Sequence, residues 1–138
     1  MAVMFPSEEW LNELKDSLNA DKTFEKTAAK WEGSLVMHVQ ADELLDKETI
    51  MWIDPYHGKV RDAKIINSLD EEKSEFVLGA KYATWKAIIN GEMDSMKAMM
   101  TGKIKVQGKI AALLKQAKAS DALIKVQQSI DTIFIDEQ

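Results

Sequence analysis

The chain contains no cysteine. Disulfide staples and thiolate metal sites are therefore excluded. Histidine is nearly absent too: His38 and His57 stand in unrelated segments, and neither belongs to an HExxH or other paired ligand spacing. No metal or other cofactor is expected, and His38 reads as a solvent-side strand residue and His57 as a turn residue. Positive charge is in short supply, with 18 Lys and Arg against 23 Asp and Glu for a net charge of −5. That balance argues against a nucleic-acid partner, whose phosphates require a basic face, and against a polybasic membrane anchor. No apolar run approaches the ~20 residues of a membrane span, so stable membrane insertion is not expected. Residues 1–6 are apolar but short, and Ser7-Glu8-Glu9 follows at once, which is no signal-peptide pattern. A cytoplasmic protein is the expectation.

What remains is rich in large apolar side chains. Hydrophobic residues make up 46% of the 138 positions, including four Trp and eight Met. That is enough for a core without staples, and residues 1–138 read as one domain. The sequence shows no internal repeat, low-complexity segment or linker.

Ser7 is placed to cap a helix carrying Trp10, Leu11, Leu14 and Leu18 at helical spacing. Asp21 is placed to cap a second, with Phe24, Ala28 and Trp31 on one face. After Glu32-Gly33 the period changes to two. Strands are expected over 35–40, 49–54, 59–67 and 74–79. The second has apolar residues on both faces and should be covered on both. A helix over 80–90 carries Tyr82, Trp85, Ile88 and Ile89, and Gly91 stops it at the C′ position. Met93, Met96, Met99 and Met100 follow at helical spacing. A fifth strand, Lys103 to Gln107, alternates polar and apolar, its lysines guarding an exposed edge. An Ala/Leu helix comes next. A last helix from Ser120 or Asp121 carries Leu123, Val126, Ile130, Ile133 and Phe134. Short loops favour an antiparallel meander for the first three strands, and the strand–helix–helix–strand passage is expected to make the rest of the sheet mixed.

Catalytic constellations are missing. Gly102 to Lys109 fails the phosphate-loop test, because five residues separate its glycines and Ile110 follows the lysine. No serine occupies a nucleophile elbow. The acid clusters Asp42-Glu43 and Asp70-Glu71-Glu72 read as solvated loops. No enzyme is expected. The apolar stripes of the later helices are compatible with an ordinary packed core or with the walls of a binding cavity, and periodicity does not separate the two.

The stretch Gly91 to Lys115 resembles the signature of the sterol carrier protein family of lipid-transfer domains. Gly102-Lys103-Ile104-Lys105-Val106-Gln107-Gly108 matches its strand motif in full, and the spacing from Gly91 to Gly102 fits. The order of elements from about Phe24 to Leu123 agrees. The resemblance implies an α+β fold: a five-stranded, mixed, mostly antiparallel sheet with helices over one face and an apolar tunnel between them. It implies non-enzymatic binding or transfer of a fatty acyl, isoprenoid or sterol-like chain. Carried onto this sequence, Trp85, Ile88, Ile89, Met96, Met99 and Met100 would wall the tunnel from the helical side. Ile104 and Val106 would line it from the sheet. Val126, Ile130 and Phe134 of the last helix would close one end, Phe134 near the exit. Glu92 stands where the family commonly has Lys, which weakens the case for an anionic head group at that turn. The chain ends Asp136-Glu137-Gln138 without a peroxisomal address, and a stand-alone prokaryotic member, monomeric or weakly dimeric, is expected. An alternative is an accessory module whose apolar groove takes a partner helix or a second copy.

Overall fold

The computed structural model describes residues 2–138. Its order is β1 (Val3–Phe5), α1 (Glu8–Ala20), α2 (Lys22–Thr27), β2 (Leu35–Gln40), β3 (Thr49–Tyr56), β4 (Lys59–Ile66), β5 (Phe76–Lys81), α3 (Tyr82–Ile89), α4 (Ser95–Met100), β6 (Lys105–Gly108), α5 (Ile110–Lys115), α6 (Ala117–Ser129), β7 (Thr132–Phe134) and a closing 3₁₀ turn over Ile135–Glu137. The fold is α+β. Its main sheet runs β4-β3-β2-β5-β6, with every pair antiparallel except β2 and β5.

Local chemistry explains the boundaries. Ser7 accepts a hydrogen bond from the Trp10 amide and Asp21 from the Phe24 amide, satisfying donors that a helix start leaves free. Gly91, at φ +76°, closes α3: its amide bonds Ile88 O, and that of Glu92 bonds Ala87 O. This is the two-bond C-terminal cap that favours glycine. Gly108 serves another purpose. It sits at φ +116°, and a Cβ there would lie 2.2 Å from the Glu75 carbonyl oxygen. The glycine lets β6 close against β5.

The inner face of the sheet carries Leu35, Met37, Val39, Met51, Ile53 and Phe76, packed against Trp10, Leu11, Leu14 and Leu18 of α1 and the buried stripes of α3 and α6. The outer face is covered as well, as the doubly apolar β3 requires. The sheet order forces the chain after β4 to cross β3 and β2 before entering β5, and residues 67–75 make that crossing over the outer face. Trp52 Nε1 donates to Lys73 O (3.1 Å), Ser34 Oγ donates to the same carbonyl (2.7 Å), and Lys64 pairs with Glu72 (2.9 Å). Beneath this strap lies a second small cluster of Val36, Ile50, Trp52 and Ile66. The strap also corrects the expected origin of the mixed pairing. The strands flanking α3 and α4 pair antiparallel, and the parallel pair is β2 with β5.

The C-terminus differs from expectation. The last helix does not run to Phe134; it spans Ala117–Ser129, and Ile130 is already extended at φ −73°, ψ 131°. Residues 132–134 form a parallel ribbon with β1, pairing Phe5 with Phe134. The spacing of Val126, Ile130, Ile133 and Phe134 fits a helix, yet Thr132-Ile133-Phe134 is equally a β-prone run that buries alternate side chains. A partner strand at the far end of the chain decides between them. Phe5 anchors the ribbon with ring centroids 4.7 Å from Trp10 and 6.1 Å from Phe134.

Beyond β7, Asp136 accepts from Tyr82 Oη (2.5 Å) and pairs with Lys86 (2.9 Å). The Tyr82 hydrogen bond first, and Lys86 after it against the opposing effect of burial, hold the Asp136 carboxyl below its usual range. A depressed carboxyl stabilises the fold above its unfolded pKa, and that contribution disappears as pH falls through the folded value. Asp136→Asn is therefore expected to lower the urea midpoint at pH 7, with the difference from wild type shrinking below about pH 4. A difference that stays constant with pH would contradict this role.

Candidate ligand-binding site

Between the inner face of the sheet and the later helices lies an apolar crevice. Its floor is Leu35 of β2 and Leu78 of β5, with Ile104 just ahead of β6. Trp31 and Trp85 stand at its sides. Met99 of α4, Leu113 of α5 and Leu123 and Ile124 of α6 form its roof, and Ser95 and Ser120 supply its two hydroxyls. The elements fix these positions firmly in places. Trp85 Nε1 donates to His38 O (3.1 Å) and Trp31 Nε1 to Gly33 O (2.9 Å), so both indoles are oriented as well as buried. Free volume inside is ≈ 40 Å³, far below the ~300–1,000 Å³ of an ordinary ligand pocket. The side chains nearly fill it.

Among the expected wall residues, Trp85, Met99 and Ile104 meet in this crevice. Ile88, Ile89, Val126 and Ile130 are buried in the main core beside it. Val106 is half-buried on the inner face, opposite Leu78, and Met96 is half-buried on α4. Two positions differ more. Met100 is 81% exposed, because α4 is a six-residue helix that turns Ala98 inward instead. Phe134 is in the β1–β7 ribbon, edge-on to Phe5 rather than on a helix by an exit. Leu123 belongs to an apolar stripe that the sequence offered as a possible wall; the lining residues not foreseen are Trp31, Leu35, Leu78, Ser95, Leu113, Ser120 and Ile124. Leu35 and Leu78 carried a signal, since both fall on the apolar phase of their strands. Trp31 carried less, as it lies beyond the end of α2.

One polar group lies in the next layer. Met37 follows Leu35 on the same face of β2, and Gln127 follows Leu123 by one turn of α6. Gln127 is fully buried, its Nε2 meets the Met37 thioether (3.5 Å), and its Oε1 has no hydrogen-bond partner among the described residues. A separate open groove of ≈ 470 Å³ is lined by Gln40, Lys81, Thr84, Met93, Lys103 and Lys105 beside the backbone of Gly79. Ordinary protein chemistry accounts for the histidines. His38, half-buried on the outer face of β2, places Nε2 2.8 Å from Glu48 Oε1, and the exposed His57 places Nε2 2.7 Å from Glu32 Oε2. Among the described residues, no group of three or more His, Asp and Glu could hold a metal ion, and no helix is long and apolar enough to cross a membrane.

The order of strands and helices matches known proteins. The profile of the SCP-2 sterol transfer family matches residues 11–121. The chain belongs to that family. The crystal structure of a sterol carrier protein 2 superposes on this SCP-2 domain with a TM-score of 0.81 at 32% identity, covering 90% of this chain and 97% of the other. The solution structure of a conserved hypothetical protein from Thermus thermophilus, suggested to be a sterol carrier protein, gives a TM-score of 0.84 at 31% identity, covering 96% and 94%. The apo form of sterol carrier protein 2 from Yarrowia lipolytica shares the fold at 19% identity and a TM-score of 0.59, covering 86% and 89%. No curated protein sequence matches the chain significantly. The two glycines of the family motif have distinct roles here. Gly102 takes φ +80° in open space, so it is needed for its backbone conformation, while Gly108 is needed for close approach to β5.

Proposed function

We propose that this SCP-2 domain binds one fatty acyl, isoprenoid or sterol-like chain between α4, α5, α6 and the inner face of the sheet, and carries it without chemical change. The observation that supports this most is the crevice itself: mainly apolar apart from the Ser95 and Ser120 hydroxyls, walled by two fixed indoles, and roofed in part by two six-residue helices. Helices that short have little intrinsic stability and are held by packing alone, so the roof is the part that can yield to a ligand. Burial of a chain contributes roughly 0.8 kcal/mol per CH₂, and a dozen carbons give useful affinity after ordering costs. No titratable side chain lines the crevice to act as acid or base or to activate the Ser95 and Ser120 hydroxyls. Native mass spectrometry of the purified protein, with displacement of a fluorescent fatty acid, tests the proposal. A 1:1 lipid adduct and displacement are expected; neither adduct nor displacement would refute it.

Gln127 narrows the ligand. An unpaired buried amide oxygen costs ~1–3 kcal/mol, and a ligand hydroxyl reaching this layer would donate to it. Gln127→Leu is expected to raise the urea midpoint while weakening binding of a long-chain alcohol about tenfold, with its methyl ether unaffected. Equal loss for both lipids would remove the amide from the site.

A further inference from the structure

The main sheet has two edges, and the chain treats them differently. At one edge α1 packs along β4, and Asn19 of that helix takes the place of a further strand. Val60 N donates to its Oδ1 (2.7 Å), and its Nδ2 donates to Val60 O (3.1 Å). Beside it, Ala63 N donates to Asp62 Oδ1 (2.9 Å). The other edge is β6. It pairs with β5 alone. Among the described residues, no backbone–backbone hydrogen bond reaches Lys105–Gly108 from any other element. Val106, paired with Leu78, lies on the inner face, so Lys105 and Gln107 lie on the outer one. The outer groove beside them is lined by Gln40, Lys81, Lys103 and Lys105, with no carboxylate. The segment around β6 is wholly basic: residues 95–120 hold six lysines and none of the chain's 23 acids. Lys103, Lys105 and Lys109 make no ion pair among the described residues.

An unpaired row of N–H and C=O groups is a template for another strand. A side-chain cap such as Asn19 excludes every strand, whereas charge excludes only strands of the same sign. A second copy of β6 across a two-fold axis would set the same lysines against themselves, and like charges on facing strands oppose pairing. An acidic strand meets the reverse situation. We propose that β6 is a docking edge for an extended acidic segment of a partner protein, which joins the sheet as a further strand. Side chains alternate across a strand, which sets the pattern of the segment. Acids at alternate positions face Lys103 and Lys105 over the outer face. Aliphatic residues between them pack beside the half-buried Val106 on the inner face. No residue of β6 lines the crevice, so docking at this edge does not depend on a bound chain, and the two are measured separately.

A fluorescein-labelled Glu-Val-Glu-Val-Glu peptide with blocked ends tests this on the full chain by fluorescence anisotropy. Saturable binding is expected at low salt and should weaken as salt is raised. Amide hydrogen exchange at residues 105–108 should slow when the peptide is added. Replacing the central glutamate by glutamine should weaken binding, and replacing one valine by proline, which keeps the charge and removes a ladder donor, should weaken it about tenfold. Lys105→Glu should weaken binding roughly fivefold. Lys22→Glu makes the same change in net charge on α2 and should leave binding unchanged. Circular dichroism checks that both variants are folded. Absence of binding, equal binding by the proline peptide, equal loss in both lysine variants, or binding without slower exchange at residues 105–108 would each overturn the proposal. Slower exchange there on raising the protein concentration alone, with a dimer by light scattering, would assign the edge to a second copy and overturn it as well.

Discussion

Trp85→Ala is expected to lower the free energy of unfolding by ~3–5 kcal/mol, the usual cost of deleting a buried tryptophan. Trp85 is 1% exposed and belongs to the main core cluster. It ties α3 to the middle of the sheet through the hydrogen bond from Nε1 to His38 O, so the variant loses the packed ring and also leaves that carbonyl without its side-chain donor. Two mechanisms therefore add at one site. Domains of this size are stable by roughly 5–15 kcal/mol, and the variant will sit near the lower limit of folding. Urea titration followed by far-UV circular dichroism reads the effect as a lower midpoint at an unchanged slope. Trp85→Phe should cost less, because it keeps most of the packing and loses the donor. A loss below about 1 kcal/mol in the alanine variant would mean that the ring is not packed as described.

Leu113→Trp should act on binding rather than on folding. Leu113 hangs from the six-residue helix α5 into a crevice with only ≈ 40 Å³ free. An indole there occupies the space that an acyl chain would need once the roof yields. Overpacking costs ~1–3 kcal/mol, and a short surface helix can shift outward to relieve it. Blocking even four methylenes of burial removes roughly 3 kcal/mol, which is more than a hundredfold in affinity. Fluorescent fatty-acid titration should show that loss with a folded protein by circular dichroism. Unchanged affinity would place the bound chain elsewhere.

The sequence made much of this architecture legible because its signals are local. Ser7 and Asp21 cap helices with their own side chains, Gly91 ends α3 through its backbone conformation, and alternating apolar residues put Leu35, Met37 and Met51 on one face. The family motif from Gly102 to Gly108 marks the turn and strand beside the crevice, with Ile104 buried and Lys103 and Lys105 exposed. What the sequence hid is set by partners distant in the chain. Thr132 to Phe134 are a strand only because Val3 to Phe5 lie beside them. The parallel pairing of β2 with β5 follows from a strap whose polar residues look like any solvated loop. Met100 keeps helical spacing with the other methionines, but a six-residue helix has too few turns to bury a whole stripe, and Ala98 takes the inward place. Trp31 reaches the crevice from a turn, where periodicity says nothing. Gln127 is invisible for the opposite reason: a polar residue at a helical position reads as surface until its neighbours are known.

The most direct measurement is isotope-filtered NMR on the methyl-labelled protein with a bound long-chain fatty acid. Nuclear Overhauser contacts are expected from the ligand methylenes to the methyl groups of Leu78, Ile104, Leu113 and Leu123, four of the residues that enclose the crevice. Contacts confined to the exposed methyls of Met100, Ile110 and Leu114, with none to those four, would contradict chain binding beneath the roof.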